Sequence, residues 1–145
     1  MNVNSQKAPQ KALEDIKLNV KLKLAALWAS FMFLYIYVDY FAFYKTGFIE
    51  DVMAGKVWQF QITQAFLLGA LVSVTIPALM IFLSIALPAK VNRWANIILA
   101  AVYVPYSLFN LAGEALNFMI FGAAVEVILL LLIIWYAWKW PKQKA

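Results

Sequence analysis

Four apolar stretches, each about long enough to cross a bilayer, alternate with short polar segments along the chain. The pattern predicts an all-α protein, a four-transmembrane-helix bundle with spans over residues 22–44, 62–87, 94–113 and 118–138. Ahead of the first span, Leu13, Ile16, Val20, Leu24 and Leu27 recur at three- and four-residue spacing beside Lys17, Lys21 and Lys23. Two readings fit that pattern: a helix from Ala12 that lies at the interface before turning inward, or the basic end of span one. Residues 1–11 hold Asn, Ser, Gln, Lys and Pro with little to bury, and are expected to form a disordered arm. Residues 12–140 are then one membrane domain, and 141–145 a basic tail. The first apolar stretch is longer than a signal-peptide core and has no small-x-small site after it, so it is expected to stay as a span.

Charge orients this array. Lys7, Lys11, Lys17, Lys21 and Lys23 precede span one, Lys90 and Arg93 join spans two and three, and Lys139, Lys142 and Lys144 follow span four. Only Lys45 and Lys56 fall on the other side. Positive residues resist translocation, which predicts both termini cytoplasmic in a multi-pass protein of the inner membrane. Trp28, Trp94, Trp135, Trp138 and Trp140 then form an inner aromatic belt, with Tyr40, Tyr44 and Trp58 near the outer one. In the outer loop, Phe48, Ile49, Val52 and Met53 share a helical face, Glu50 and Asp51 sit in its first turn, and Gly55 can end it. A short interfacial helix is expected there, either capping the bundle or resting on headgroups.

Packing one helix on another in lipid brings little apolar gain, so small and polar residues mark the faces that meet. In span three Asn96, Ala100, Tyr103, Ser107, Asn110 and Glu114 recur at steps of four and three, on one stripe. Span two offers Gly69, Ser73, Pro77, Met80 and Ser84, and span four Gly122 and Ala123 one turn before Glu126. The helix-packing seam is expected to run through Gly69, Ser73, Asn96, Ser107 and Gly122. Pro77 and Pro105 each delete a backbone hydrogen bond within a span.

Two acids lie inside spans. Asp39 and Glu126 fall in one layer, roughly 8 to 12 Å below the outer surface at 1.5 Å per residue. No Lys or Arg lies at that depth, so an ionised acid there costs several kcal/mol unless it is neutralised or reaches a water-filled pocket. Asn110, Gln64, Tyr35 and Tyr103 are the polar neighbours within reach, and the six residues together predict an outward-facing, aromatic-lined binding pocket. The alternative is that the acids are hydrogen-bonded glue between helices, or that Asp39 snorkels to the interface. Glu114, at the end of span three, is expected in solvent.

Composition narrows the chemistry. Hydrophobic residues make up 66% of the chain and charged residues 13%, which leaves no polar coat for a soluble core. There is no Cys and no His, so thiol redox relays, haem ligation and most zinc sites are excluded, and neither a metal nor a cofactor is expected. The net charge of +5 belongs to span flanks, where it serves orientation and anionic headgroups rather than nucleic acid. Carboxylate acid/base chemistry is the one enzymatic route left, and no clustered nucleophile supports it.

A shift of 66 residues aligns Trp28-Ala29 with Trp94-Ala95, Tyr37-Val38-x-Tyr40 with Tyr103-Val104-x-Tyr106, and Gly47 with Gly113. This is the mark that a duplicated hairpin would leave, although spans two and four do not align. Leu27-Trp28 to Asp39, Gly47-Phe48-Ile49, Ile76-Pro77-Ala78-Leu79-Met80-Ile81-Phe82-Leu83-Ser84, Asn92-Arg93-Trp94-Ala95-Asn96-Ile97, Glu126 and Trp135-Tyr136-Ala137-Trp138 resemble an uncharacterised family of small bacterial four-helix integral membrane proteins, catalogued as a domain of unknown function. The resemblance implies a bacterial inner-membrane protein and carries over no catalytic residue.

Two functions remain. One is binding or transport of a proton or a small apolar or cationic molecule at Asp39 and Glu126, which calls for a homodimer because four short helices hardly enclose a pathway. The other is an accessory or structural subunit whose polar seam specifies packing and whose partner supplies the activity. The expected partners are the lipid bilayer and a second copy or partner subunit.

Overall fold

The computed structural model describes residues 16–113 and 115–141. The proposed disordered arm, the basic residues Lys7, Lys11, Lys142 and Lys144, and Glu114 lie outside the described residues. Five helices and one small hairpin follow in order: α1 (Val20–Ala42), α2 (Phe48–Met53), β1 (Lys56–Val57), β2 (Phe60–Gln61), α3 (Gln64–Ala86), α4 (Ala89–Phe109) and α5 (Asn117–Trp138).

Helix α1 starts later than a helix running from Ala12 would require. Asn19 is extended and its side chain accepts the Lys21 N–H at 2.9 Å, an N-cap that fixes the start and leaves Ile16 and Lys17 outside the helix. Thr63 caps α3 in the same way, accepting from the Phe66 N–H. Helix α4 begins five residues before the predicted span, because Pro88 supplies the extended residue that precedes a helix and the polar turn Lys90-Val91-Asn92-Arg93 continues the same rod. Helices α1, α3 and α5 are long and apolar enough to cross a membrane. Helix α4 differs in carrying polar residues beyond its first turn as well, with Asn96, Tyr103, Tyr106 and Ser107 following Lys90, Asn92 and Arg93.

The long helices form a ring in which α1 packs along α3 and α5, and α4 packs along α5 and more loosely on α3. Helices α1 and α4 face each other across the middle, joined by large side chains: Trp28, Phe31 and Tyr35 of α1 meet Tyr103 and Tyr106 of α4 with ring centroids 6.0 to 6.3 Å apart. Each buried stripe follows the helical repeat. Leu24, Trp28, Phe31 and Tyr35 line α1, Asn92, Asn96, Ala100, Tyr103 and Ser107 line α4, and Gly122, Glu126, Leu130, Ile133 and Ala137 line α5. Helix α3 buries only Pro77, Met80 and Ser84. Outside these stripes the surface is apolar, with Phe33, Leu68, Phe82 and Phe121 among the most exposed side chains, the reverse of a water-solvated protein.

Helix α2 occupies the position expected for the loop helix and ends at Met53, with Gly55 in the left-handed region (φ 78°) just beyond it. None of its residues is buried, and Met53 is 84% exposed, so α2 does not cap the other helices through its apolar face. The hairpin pairs Lys56 with Gln61 and Val57 with Phe60; strands of two residues leave no periodic trace in a sequence. Trp58 takes a positive φ of 52° at its turn, and the indole packs on Phe109 and against Gly113. A Cβ on Gly113 would stand 3.0 Å from the indole nitrogen. Gly47, its partner in the 66-residue alignment, is required instead by a φ of 82° and has open space around it. Trp28 and Trp94 also diverge, the first fully buried and the second 48% exposed.

Candidate functional site

Polar groups inside the ring gather at two levels. Nearer the basic end, Asn96 Oδ1 accepts from Trp28 Nε1 (2.7 Å) and Ser84 Oγ (3.3 Å), while its Nδ2 donates to the Asn92 side chain (2.6 Å) and carbonyl (2.9 Å). Asn92 Nδ2 donates in turn to the Ser84 carbonyl at 2.6 Å. The cluster ties α1, α3 and α4 together, and Asn92, Asn96 and Ser84 are all fully buried. Asn96 was expected in the seam; Asn92 was not, although one more step of four back from Asn96 reaches it.

The second level surrounds Pro77. A proline has no N–H for the carbonyl four residues back, here that of Ser73, and the Tyr103 hydroxyl donates to that carbonyl instead. Ser73 Oγ donates to the Ala70 carbonyl at 2.7 Å and lies 2.9 Å from the Tyr106 hydroxyl, which is 3.3 Å from the Tyr35 hydroxyl. Helix α4 thus repairs the backbone of α3 and links it to α1 through hydroxyls. Tyr35, Tyr103 and Tyr106 close with Phe31, Met32 and Pro77 on a cleft that leaves no volume for a water molecule. The wet pocket expected from the sequence is not present in that cleft, because the rings fill the space.

Glu126 lies beyond this layer, 2% exposed on the inner stripe of α5. Ser107 of α4 is close enough to interact with its carboxyl, yet Ser107 Oγ is buried without a partner at hydrogen-bond geometry. Asp39 presents its side chain at the exposed surface of α1 and is within electrostatic reach of both Glu126 and Tyr35. Asn110, the C-cap of α4, is close enough to interact with the Tyr35 hydroxyl. Asp39, Glu126, Asn110, Tyr35 and Tyr103 are therefore linked, Tyr103 through Tyr106, in the half of the ring away from the basic end. Gln64 does not join them: it is exposed in the first turn of α3, with no hydrogen bond to the acids.

The seam glycines also part company. Gly122 faces Val38 so closely that an added Cβ would stand 2.4 Å from Val38 Cγ2. Gly69 is exposed with nothing within 4 Å, one turn before Ser73, which meets Tyr106 of α4. Among the described residues no group of three or more His, Cys, Asp or Glu is placed to hold a metal ion.

Comparison with curated proteins and with solved structures finds no match to this chain. A family model does match: over residues 13–145, which include the Asn92–Asn96 cluster, the tyrosine layer and Glu126, the chain belongs to the family of unknown function DUF6326.

Proposed function

We propose that the protein is a four-span integral membrane protein, with α4 as the fourth span and both ends on the cytoplasmic side, that binds a proton or a small cation at Glu126 and Asp39. Burial of Glu126 carries this reading. Its carboxyl is 2% exposed, and its interacting neighbours are Ser107 and Asp39 rather than a Lys or Arg. A carboxylate in such surroundings is strongly unfavourable unless something neutralises it, and a proton or a bound cation does so. A proton needs no cavity, which suits the closed tyrosine layer. An organic cation would enter from the exposed side at Asp39, with a second copy of the chain completing the wall.

Glu126→Gln and Asp39→Asn test this in detergent-purified protein, through proton uptake in a weakly buffered pH jump and thermal shift with tetraphenylphosphonium. The native protein is expected to take up protons in a step that Glu126→Gln abolishes while its melting transition stays cooperative. Unchanged uptake in both variants would defeat the proposal.

The accessory-subunit reading draws on a different observation, the sparse burial of α3, whose outer face is apolar along its whole length. A stoichiometric protein copurifying from mild detergent, lost when Leu68, Leu71 and Leu79 are changed to Ala, would support it.

A further inference from the structure

Three cations from three parts of the chain rest on the last turn of α5. Lys23 of α1 places its Nζ 5.1 Å from the Tyr136 ring, Lys139 lies 4.5 Å from Trp135, and the Arg93 guanidinium of α4 lies 5.8 Å from the Trp94 ring and 5.6 Å from that of Trp138. Lys21, at the same end, is already engaged: its Nζ donates to the Leu87 and Ile85 carbonyls that end α3. Every described carboxylate belongs to the opposite half of the molecule, namely Asp39, Glu50, Asp51 and Glu126.

Arg93 is the informative member. Ring faces offset part of its charge, but they accept none of its five N–H donors. Its Nε is buried and has no hydrogen-bond partner. That nitrogen is sealed from the surface, so a headgroup oxygen would meet instead the two terminal NH2 groups, which have no hydrogen-bond partner among the described residues and are not sealed off. Both indole rings lie within 6 Å of the group, and its planar fork suits a tetrahedral anion with two oxygens side by side. Helix α4 adds no competing acid, since its first turn contains none and has no side-chain cap. At the tryptophan belt of a membrane protein, the abundant anion of that shape is the phosphodiester of a lipid headgroup.

We propose that the basic end of the helices binds one anionic phospholipid, its phosphate anchored by Arg93 and its charge balanced by Lys23 and Lys139, with Trp94 and Trp138 against the glycerol region. The site is separate from the Glu126 layer and stands whether or not that layer takes a proton.

The test is intrinsic tryptophan-fluorescence melting of delipidated protein, with phosphatidylglycerol, phosphatidylcholine or inorganic phosphate added, on native protein, Arg93→Gln and Arg93→Lys. Lys56→Gln, in the hairpin at the other end, is the control. Phosphatidylglycerol is expected to raise the native and Lys56→Gln transitions equally, and the rise is expected to fall by half or more in Arg93→Gln. Arg93→Lys, which keeps the charge but loses the fork, should fall between the two, and native mass spectrometry should show one fewer retained phosphatidylglycerol in it. An equal rise in the Arg93 variants would overturn the proposal. So would a full rise with phosphatidylcholine, which would remove the charge requirement, or with inorganic phosphate, which would make the ligand a free anion.

Discussion

Replacing Asn96 with Leu tests the cluster that joins three helices. Leucine keeps the branching of the amide at Cγ and is somewhat larger, so the change removes the polar atoms without opening a cavity. It deletes two interhelical hydrogen bonds, from Trp28 Nε1 and Ser84 Oγ, and strands the fully buried indole N–H. Interhelical hydrogen bonds in membrane proteins average about 0.6 kcal/mol and reach about 1.7. Two of them therefore give about 1 to 3 kcal/mol, in line with the cost of about 1 to 3 kcal/mol for one unsatisfied buried donor. Reversible unfolding in mixed detergent micelles would measure it. Trp28→Phe removes the donor from the other side, and the double variant should recover about 1 kcal/mol relative to the sum of the single changes. The reasoning is refuted if Asn96→Leu unfolds within 0.5 kcal/mol of native, on the order of an ordinary surface change, or if the cycle shows no coupling.

Tyr103→Phe should cost about 0.5 to 1.5 kcal/mol by leaving the Ser73 carbonyl unpaired. That cost should shrink in a Pro77→Ala background, where residue 77 regains the N–H that the carbonyl lacks; equal costs in both backgrounds would show that the hydroxyl does not repair the helix. Gly122→Ala should destabilise by about 1 to 3 kcal/mol through the clash with Val38, and Val38→Ala should restore most of it in the same unfolding assay. Gly69→Ala should leave stability the same or slightly raised, since nothing lies near the new methyl and alanine favours helix. A loss above 1 kcal/mol there would mean that a second copy of the chain packs on that face.

Local chemistry wrote much of the fold into the chain. Apolar stretches, the side chains of Asn19 and Thr63 and the Gly55 turn are each decided within a few residues, so the long helices and α2 were legible, with errors mostly at their ends. The stripe from Asn96 to Ser107 was legible too, because a period of three and four residues becomes a face whatever packs on it.

Which partner each face meets was decided by the tertiary structure. Gly69 and Gly122 look alike in a span, yet of the two only Gly122 is approached by another helix, since α1 lies against α5 at Val38 while open space surrounds Gly69. Asp39 and Glu126 occupy one layer by residue count, but the rotation of each helix about its axis buries one and exposes the other. Tyr103 could be assigned to the seam from its spacing; that its hydroxyl would reach the carbonyl freed by Pro77 on another helix could not. Sequence periodicity sets the side of a helix on which a residue sits, and only packing in three dimensions sets what stands opposite.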